Sequence, residues 1–157
     1  MSNQPKPGNP DLLIRPIATA DAEAAANLSG ELGYPVSTTV MEERIRNLAS
    51  LRDHAVFVAC VAHPVSGCSV VGWIDVGIVH HLQGEPYGEI GGLVVAGDLR
   101  GSGVGRRLVA CAEQFTRQRG IGKMLVRSQI AREAAHRFYL REGYERTKTS
   151  AVFSKTL

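Results

Sequence analysis

One stretch constrains this chain more than any other: Glu89 to Leu108, EIGGLVVAGDLRGSGVGRRL. Glu89 to Val95 is apolar and β-branched with no helical period, so it reads as a buried strand. Ala96 to Gly105 is a turn with glycines at 97, 101, 103 and 105. From Val104 onward apolar residues return at Leu108, Ala112 and Phe115, which is a helical period. A strand, a glycine loop and a helix in this order present backbone N–H groups to an anion. The first N–H groups of a helix have no intrahelical partner, and the macrodipole adds positive potential there. Glycines let the backbone approach a phosphate closely, and Arg100, Arg106 and Arg107 add charge around the same spot.

The remainder of the chain bounds what surrounds that loop. A length of 157 residues is one domain's worth and long enough for a real core. The reading is a disordered leader over residues 1–10 and a single domain over residues 11–157. A formal charge of +3, with no basic stripe, argues against nucleic-acid binding and suits an anionic cofactor. Cys60, Cys68 and Cys111 lack CxxC spacing and imply a reducing, cytoplasmic setting. The five histidines show no metal spacing, so no metal is expected. No apolar run reaches the roughly 18–20 residues of a membrane span, so no membrane partner is expected.

Taken in order, the chain predicts a strand over Leu12–Ile17 and a helix over Ala22–Leu32, with Thr19 or Asp21 as its cap. A second helix follows over Val40–Leu51, capped by Ser37, Thr38 or Thr39, with Glu42 and Glu43 in its first turn. Strands are predicted over Ala55–Ala62 and Val70–His80, joined as a hairpin, with Gly72 and Gly77 suggesting a bulge or bend. HLQGEPYG reads as a loop before the strand that ends at Val95. After the glycine-loop helix come a strand over Lys123–Ser128, a helix over Glu133–Glu142, and a final hairpin from Tyr144–Thr147 and Val152–Thr156. The order is β-α-α-β-β-β-α-β-α-β-β. It predicts an α+β fold (often labelled α/β), with a mixed sheet of six or seven strands and helices on both faces.

Two common glycine loops are excluded by spacing. A Walker A loop needs Gly-Lys-Ser/Thr, and the Rossmann fingerprint needs G-x-G-x-x-G near the first βαβ unit. Arg100, Gly103 and Gly105 instead give Arg-x-x-Gly-x-Gly after a strand ending Leu-Val-Val. This resembles the acetyl-CoA-binding motif of the GNAT superfamily of N-acetyltransferases. A second segment, AHRFYLREGYER, matches that superfamily's Ala-x-x-Phe-Tyr-x-x-x-Gly-Tyr at Ala135, Phe138, Tyr139, Gly143 and Tyr144. The resemblance runs from Leu12 to Leu157, and the element order is that of the GNAT fold.

The resemblance implies acetyl-CoA as cosubstrate and a primary amine as acceptor, most simply a small molecule, attacking directly in a ternary complex. It implies that the Leu93 N–H faces the thioester carbonyl. Val94 lies between that group and Val95, which bonds the pantetheine amides like an added strand. It also implies that the N–H groups of Gly101, Ser102, Gly103, Val104, Gly105 and Arg106 hold the pyrophosphate beside Arg100. Ala135 leaves room for the pantetheine arm and Phe138 supplies an apolar wall. Gln129 stands where many members carry an asparagine on that arm. Tyr139 is the expected acid toward the thiolate. Glu89, eleven residues before Arg100, is the candidate base, with Glu85, Asp75, His80 and His81 as rivals. Tyr34, His80, His81 and Glu85 are candidates for acceptor binding. Homodimers are common in the superfamily, and only that analogy suggests one here. A non-catalytic acyl-CoA-binding module, a protein or peptide N-acetyltransferase, and a different phosphate-ligand binder stay open as alternatives.

Overall fold

The computed structural model describes residues 12–157, so the expected leader over residues 1–10 lies outside the described residues. Two compact units are present, one ending at Val126 and one running from Arg127 to Leu157. The first contains β1 (Leu12–Pro16), a 3-10 turn over Thr19–Asp21, α1 (Ala22–Leu32), α2 (Thr38–Ala49), β2 (His54–His63), β3 (Gly67–His81), β4 (Gly84–Val95), a short turn over Gly97–Leu99, α3 (Val104–Arg117) and β5 (Met124–Val126). The sheet order is β1-β2-β3-β4-β5. The first four strands are antiparallel, and β4 pairs with β5 in parallel. A parallel neighbour needs a crossover, and α3 provides it. The second unit contains α4 (Glu133–Arg141).

Packing of α3 explains two glycines. Val104, Leu108 and Ala112 recur every fourth residue on α3 and are fully buried. A Cβ at Gly72 of β3 would stand 2.9 Å from the Val94 carbonyl and 3.2 Å from Leu108 Cδ1. One at Gly88 of β4 would stand 2.3 Å from Thr116 Oγ1. Both strands therefore need glycine where the helix lies close. Phe57 meets Phe115 edge-on on the same side, with centroids 6.3 Å apart. Val58 and Val94 point to the opposite face and are buried too, because α1 and α2 pack there against β2, β3 and β4.

Several local expectations hold and several do not. Ser37 caps α2, accepting the Val40 N–H at 3.2 Å. The helix starts at Thr38, two residues early, so Glu42 and Glu43 fall outside its first turn and Glu42 pairs with Arg46 instead. Neither Thr19 nor Asp21 caps α1 with its side chain. Asp21 is recruited elsewhere: its carboxylate binds Arg15 through two bonds of 2.7 and 2.8 Å and accepts the Ala18 N–H at 2.8 Å. The register of β2 on β3 does shift at Gly72, with Ala59 opposite Gly72 and Cys60 opposite Val70.

The segment read as a loop over residues 81–88 is a tight hairpin, with only Leu82 and Gln83 between β3 and β4. Gly84 and Pro86 suggested breakers, yet this end of β4 has a single partner strand and a register shift. A missing proline N–H is tolerated there. The expected six or seven strands are five among the described residues, because Tyr144–Thr147 and Val152–Thr156 form no hairpin. Val152 and Phe153 are 87% and 92% exposed. A short hairpin with so little apolar burial does not offset its ordering entropy within one chain. The α+β architecture is otherwise the expected one.

The Arg15 guanidinium beside Asp21 holds its carboxyl below the usual carboxylate range. A depressed carboxyl contributes stability above its unfolded pKa of about 3.9 and loses it as pH falls. Asp21→Asn should therefore cost about 1.5–3 kcal/mol at pH 7, the range for hydrogen bonds to charged groups. Urea unfolding should show the gap between variant and wild type narrowing below about pH 4. An equal gap at both pH values would contradict this role.

Candidate active site

The site begins where β4 leaves β5. Their pairing runs through Gly88–Met124, Glu89–Leu125 and Ile90–Val126 and then stops. At the same point β4 carries an extra residue. Val76 of β3 stands opposite Ile90 and Asp75 opposite Gly92, which leaves Gly91 as a bulge. A bulge bends its strand and switches which residues face each edge. Before it, the Gly88 N–H points toward β5 and bonds the Lys123 carbonyl at 2.9 Å. After it, the Ala96 N–H points the other way and bonds the Val71 carbonyl at 2.8 Å. A period of two then turns the N–H and C=O groups of Gly92 and Val94 toward β3 and those of Leu93 and Val95 toward the open edge. Leu93 and Val95 are half-buried, while the Val94 side chain is buried in the core. Val94 thus turns neither its side chain nor its backbone polar groups to the open edge, contrary to its place among the expected cofactor-binding residues.

The open edge leads into the glycine loop. Gly101 and Gly103 adopt φ of +79° and +89°, which only glycine takes at little cost, and neither has an atom within 4 Å of where a Cβ would stand. Gly103 caps α3 with no side-chain bond, and no acidic residue stands in the first turn. The first intrahelical bond is from the Arg107 N–H to the Gly103 carbonyl at 3.2 Å. Arg100 folds back: its Nε donates to the Val95 carbonyl at 3.3 Å, and its guanidinium lies 3.9 Å from Glu31. Ser102 Oγ donates to the Leu99 carbonyl. Arg106 and Arg107 are exposed. The loop is positive, uncapped and sterically open, which suits a phosphate.

On the face away from α3, the register sets three titratable residues close together. Glu89 stands opposite Gly77, and Gly77 opposite His54. A Cβ at Gly77 would lie 2.8 Å from His54 Nδ1, so the imidazole occupies the space over that glycine. His54 Nε2 and Asp75 Oδ1 lie 2.6 Å apart. Both atoms are buried, and neither makes a hydrogen bond. The Asp75 carboxylate abuts the bulge, 3.3 Å from where a Gly91 Cβ would stand, and the Trp73 ring covers Gly92. The sequence reading missed His54 altogether. The available signal was a lone acid in an apolar strand, WIDVGIV.

The other acceptor candidates are more dispersed. His81 Nε2 lies 3.2 Å from the Tyr87 hydroxyl, whereas His80 points the other way toward Asp53 at 3.6 Å. Tyr34 is 58% exposed, and Glu85 is exposed at the hairpin. In the second unit Tyr139 packs edge-on against Phe138 and Tyr144, with centroids 5.1 and 5.5 Å away. Burial pushes the Tyr139 phenol up to about 12. Ala135 is half-buried one turn away, and Gln129 uses its backbone carbonyl to accept from His136 Nε2 at 3.1 Å. Among the described residues no group of three His, Cys, Asp or Glu side chains could hold a metal, and no helix is long and apolar enough to cross a membrane.

Comparison with known proteins identifies the family. The model of the acetyltransferase (GNAT) family matches residues 22–144. An aminoglycoside N(6')-acetyltransferase type 1 of Stenotrophomonas maltophilia is 32% identical over 148 residues, 92% of this chain and 93% of that protein. An aminoalkylphosphonate N-acetyltransferase of Salmonella typhimurium is 43% identical over 79 residues, 50% of this chain. That match spans about half, 51%, of the relative's own length. Among solved structures, the aminoglycoside N-acetyltransferase AAC(6')-Iy in complex with CoA superposes with a TM-score of 0.79, covering 97% of this chain and 99% of that one. At 17% identity that likeness is one of fold.

Tyr139 gives the second unit a pH signature. A phenol raised from an unfolded value near 10 to about 12 adds stability that is complete below pH 10 and lost as pH rises through the folded value. In chemical unfolding followed from pH 8 to pH 12, Tyr139→Phe should lose less stability than wild type over the alkaline limb. Parallel losses would contradict a buried, neutral phenol.

Proposed function

The chain belongs to the acetyltransferase (GNAT) family, and on that premise we propose that it transfers an acetyl group from acetyl-CoA to the primary amine of a small molecule, by direct attack in a ternary complex. The observation that carries this is the open edge of β4, which ends at an uncapped, glycine-rich helix start. Pantetheine is a slender chain with two amides. Val95 offers it a strand edge, and the Leu93 N–H meets the thioester carbonyl and the oxyanion that develops from it. The N–H groups of Gly101 and of Gly103 to Arg106 receive the pyrophosphate, with Arg100 bracing Val95 beside them, whereas the Ser102 N–H is already given to the Leu99 carbonyl at 3.2 Å.

A thioester is already activated, so the chemistry reduces to three demands. The ammonium must lose a proton, the oxyanion needs a donor, and the departing sulfur needs a proton or a hydrogen bond. Glu89, at the family's spacing before Arg100, is the carboxylate that the resemblance assigns to the first. Tyr139 serves the third by the same carry-over. A phenol at about 12 surrenders its proton to a thiolate only against the order of acidities, since thiols lie near 8.5. Tyr139 therefore acts as a hydrogen-bond donor to the sulfur, and the attacking nitrogen supplies the proton. Gln129, Ala135 and Phe138 line the pantetheine arm by motif match.

Two curated relatives act, by their names, on aminoglycosides and aminoalkylphosphonates, and both substrate classes offer primary amines. This supports a small cationic or zwitterionic acceptor over a protein terminus. Tyr34, His80, His81 and Glu85, all exposed, are assigned to its recognition.

A thiol-release assay with acetyl-CoA across neamine, 2-aminoethylphosphonate and peptide N-termini tests the reading. Turnover should appear with a small amine and not with peptides, and the reverse preference would refute it. Gly103→Asp, which brings a carboxylate into the anion loop at a left-handed position, should abolish acetyl-CoA binding by calorimetry while the chain still folds. Tyr139→Phe should lower kcat by about 10- to 100-fold and leave acetyl-CoA affinity within about twofold, because it withdraws one transition-state donor.

A further inference from the structure

We propose that Asp75 is the carboxylate that holds the acceptor's ammonium and takes its proton, and that His54 positions Asp75 and relays that proton to solvent. This rests on the acetyl-transfer reading and identifies a pair of residues that neither glycine-loop spacing nor motif matching reveals.

Distance along the strand favours Asp75 over Glu89. Leu93, whose N–H turns to the open edge, stands opposite Ile74, and Asp75 opposite Gly92 is the next row. Glu89, opposite Gly77, is three rows from Ile74 along β3, about 10 Å at about 3.4 Å per residue. Asp75 is also the carboxylate pressed against the bulge, with no side chain at Gly91 or Gly92 to screen it.

The cost of the pair is the second consideration. A carboxylate and an imidazole set half-buried on neighbouring apolar strands sacrifice hydration, and a well-packed apolar pair would fold at least as well. His54 and Asp75 retain side-chain exposures of 22% and 28%, so the pair reaches solvent from a largely covered position. The facing atoms His54 Nε2 and Asp75 Oδ1 make no hydrogen bond, and their 2.6 Å approach is an ion-pair contact. Gly77, directly between His54 and Glu89 in the sheet, gives the imidazole room to lie flat toward Asp75. The Trp73 indole N–H, on a residue the register sets on the same face, is buried without a protein acceptor. Glu89 on β4 is the other ionisable side chain that the register places on this part of the face. A carboxylate one row from the strand position that receives the thioester suits a positively charged acceptor.

The step balances. The ammonium nitrogen gives one proton to Asp75, becoming a neutral amine, and Asp75 passes it to His54 Nε2 and on to water. The nitrogen lone pair attacks the thioester carbon, the C–N bond forms, and the C–S bond breaks. The nitrogen's second proton leaves with the sulfur as thiol.

The test compares Asp75→Asn, Asp75→Glu and His54→Gln with wild type, using neamine and 2-aminoethylphosphonate as probes. Thermal unfolding first confirms that each variant folds, and calorimetry confirms acetyl-CoA binding. Asp75→Asn should lower kcat/KM for the amine by about 100-fold and weaken amine binding to CoA-saturated protein by about tenfold, with acetyl-CoA affinity unchanged. Asp75→Glu should recover part of the amine affinity. His54→Gln should lower kcat by about tenfold while the amine KM stays within about twofold, a split that a merely structural residue would not produce. Asp75→Asn should also cost more than Glu89→Gln. Amine affinity and kcat/KM within twofold of wild type in a folded Asp75→Asn would overturn the proposal, and if that variant fails to fold, an unchanged kcat in His54→Gln does so. Loss of calorimetric amine affinity in Asp75→Asn, with wild type binding both ligands but releasing no thiol, would refute acetyl transfer yet uphold the Asp75 site.

Discussion

Everything distinctive about this molecule depends on one extra residue in β4. Without the Gly91 bulge, the residues whose backbone faces β5 would continue as Gly88, Ile90, Gly92 and Val94. With it, the series becomes Leu93 and Val95, and β4 bends away just where β5 ends its pairing. A sheet edge of this kind normally invites unwanted strands. Here the edge is short, it leads into a positive loop, and the Arg100 side chain already occupies the Val95 carbonyl. The same bulge leaves Asp75 bordering glycine rather than a bulky neighbour. The proposed donor edge and the proposed acceptor carboxylate thus have one structural cause.

The anion loop can only work if α3 begins at the end of that edge, and its position is set by packing. Gly72 and Gly88 let the helix lie against β3 and β4 at distances that any side chain would prevent. Val104, Leu108 and Ala112 fill the interface they create. The first turn of α3 has glycine in place of a side-chain cap, which costs a helix about a few tenths of a kcal/mol. Leaving those N–H groups to a ligand is consistent with that loss. Stability is supplied elsewhere, including by the bidentate Arg15–Asp21 pair near the start of the sheet.

The glycine loop was legible in the sequence because its demands are local: left-handed positions, absent Cβ atoms and a helix period directly after them. The helices and the antiparallel strands were legible for the same reason. Residues 81–88 were not, since Gly84 and Pro86 look like breakers unless one knows that this end of β4 has a single partner. The final hairpin failed in the opposite sense. Its residues have strand propensity, but Val152 and Phe153 find nothing to pack on within their own chain. The bulge and the His54–Asp75 contact are matters of register, because residues 21 positions apart in sequence meet only once β2 and β3 are aligned. Spacing motifs do not encode that alignment.

The central claim is that the bulge aims Leu93 and Val95 at the pantetheine arm and the loop amides at its phosphates. Residue-resolved amide hydrogen exchange, with and without CoA, measures this most directly. Exchange at Leu93, Val95, Gly101 and residues 103–106 should slow on CoA binding, while Gly92 and Val94, already turned toward β3, and Ser102, already bonded to the Leu99 carbonyl, should change little. Equal protection at all four strand positions, or none in the loop, would contradict the account.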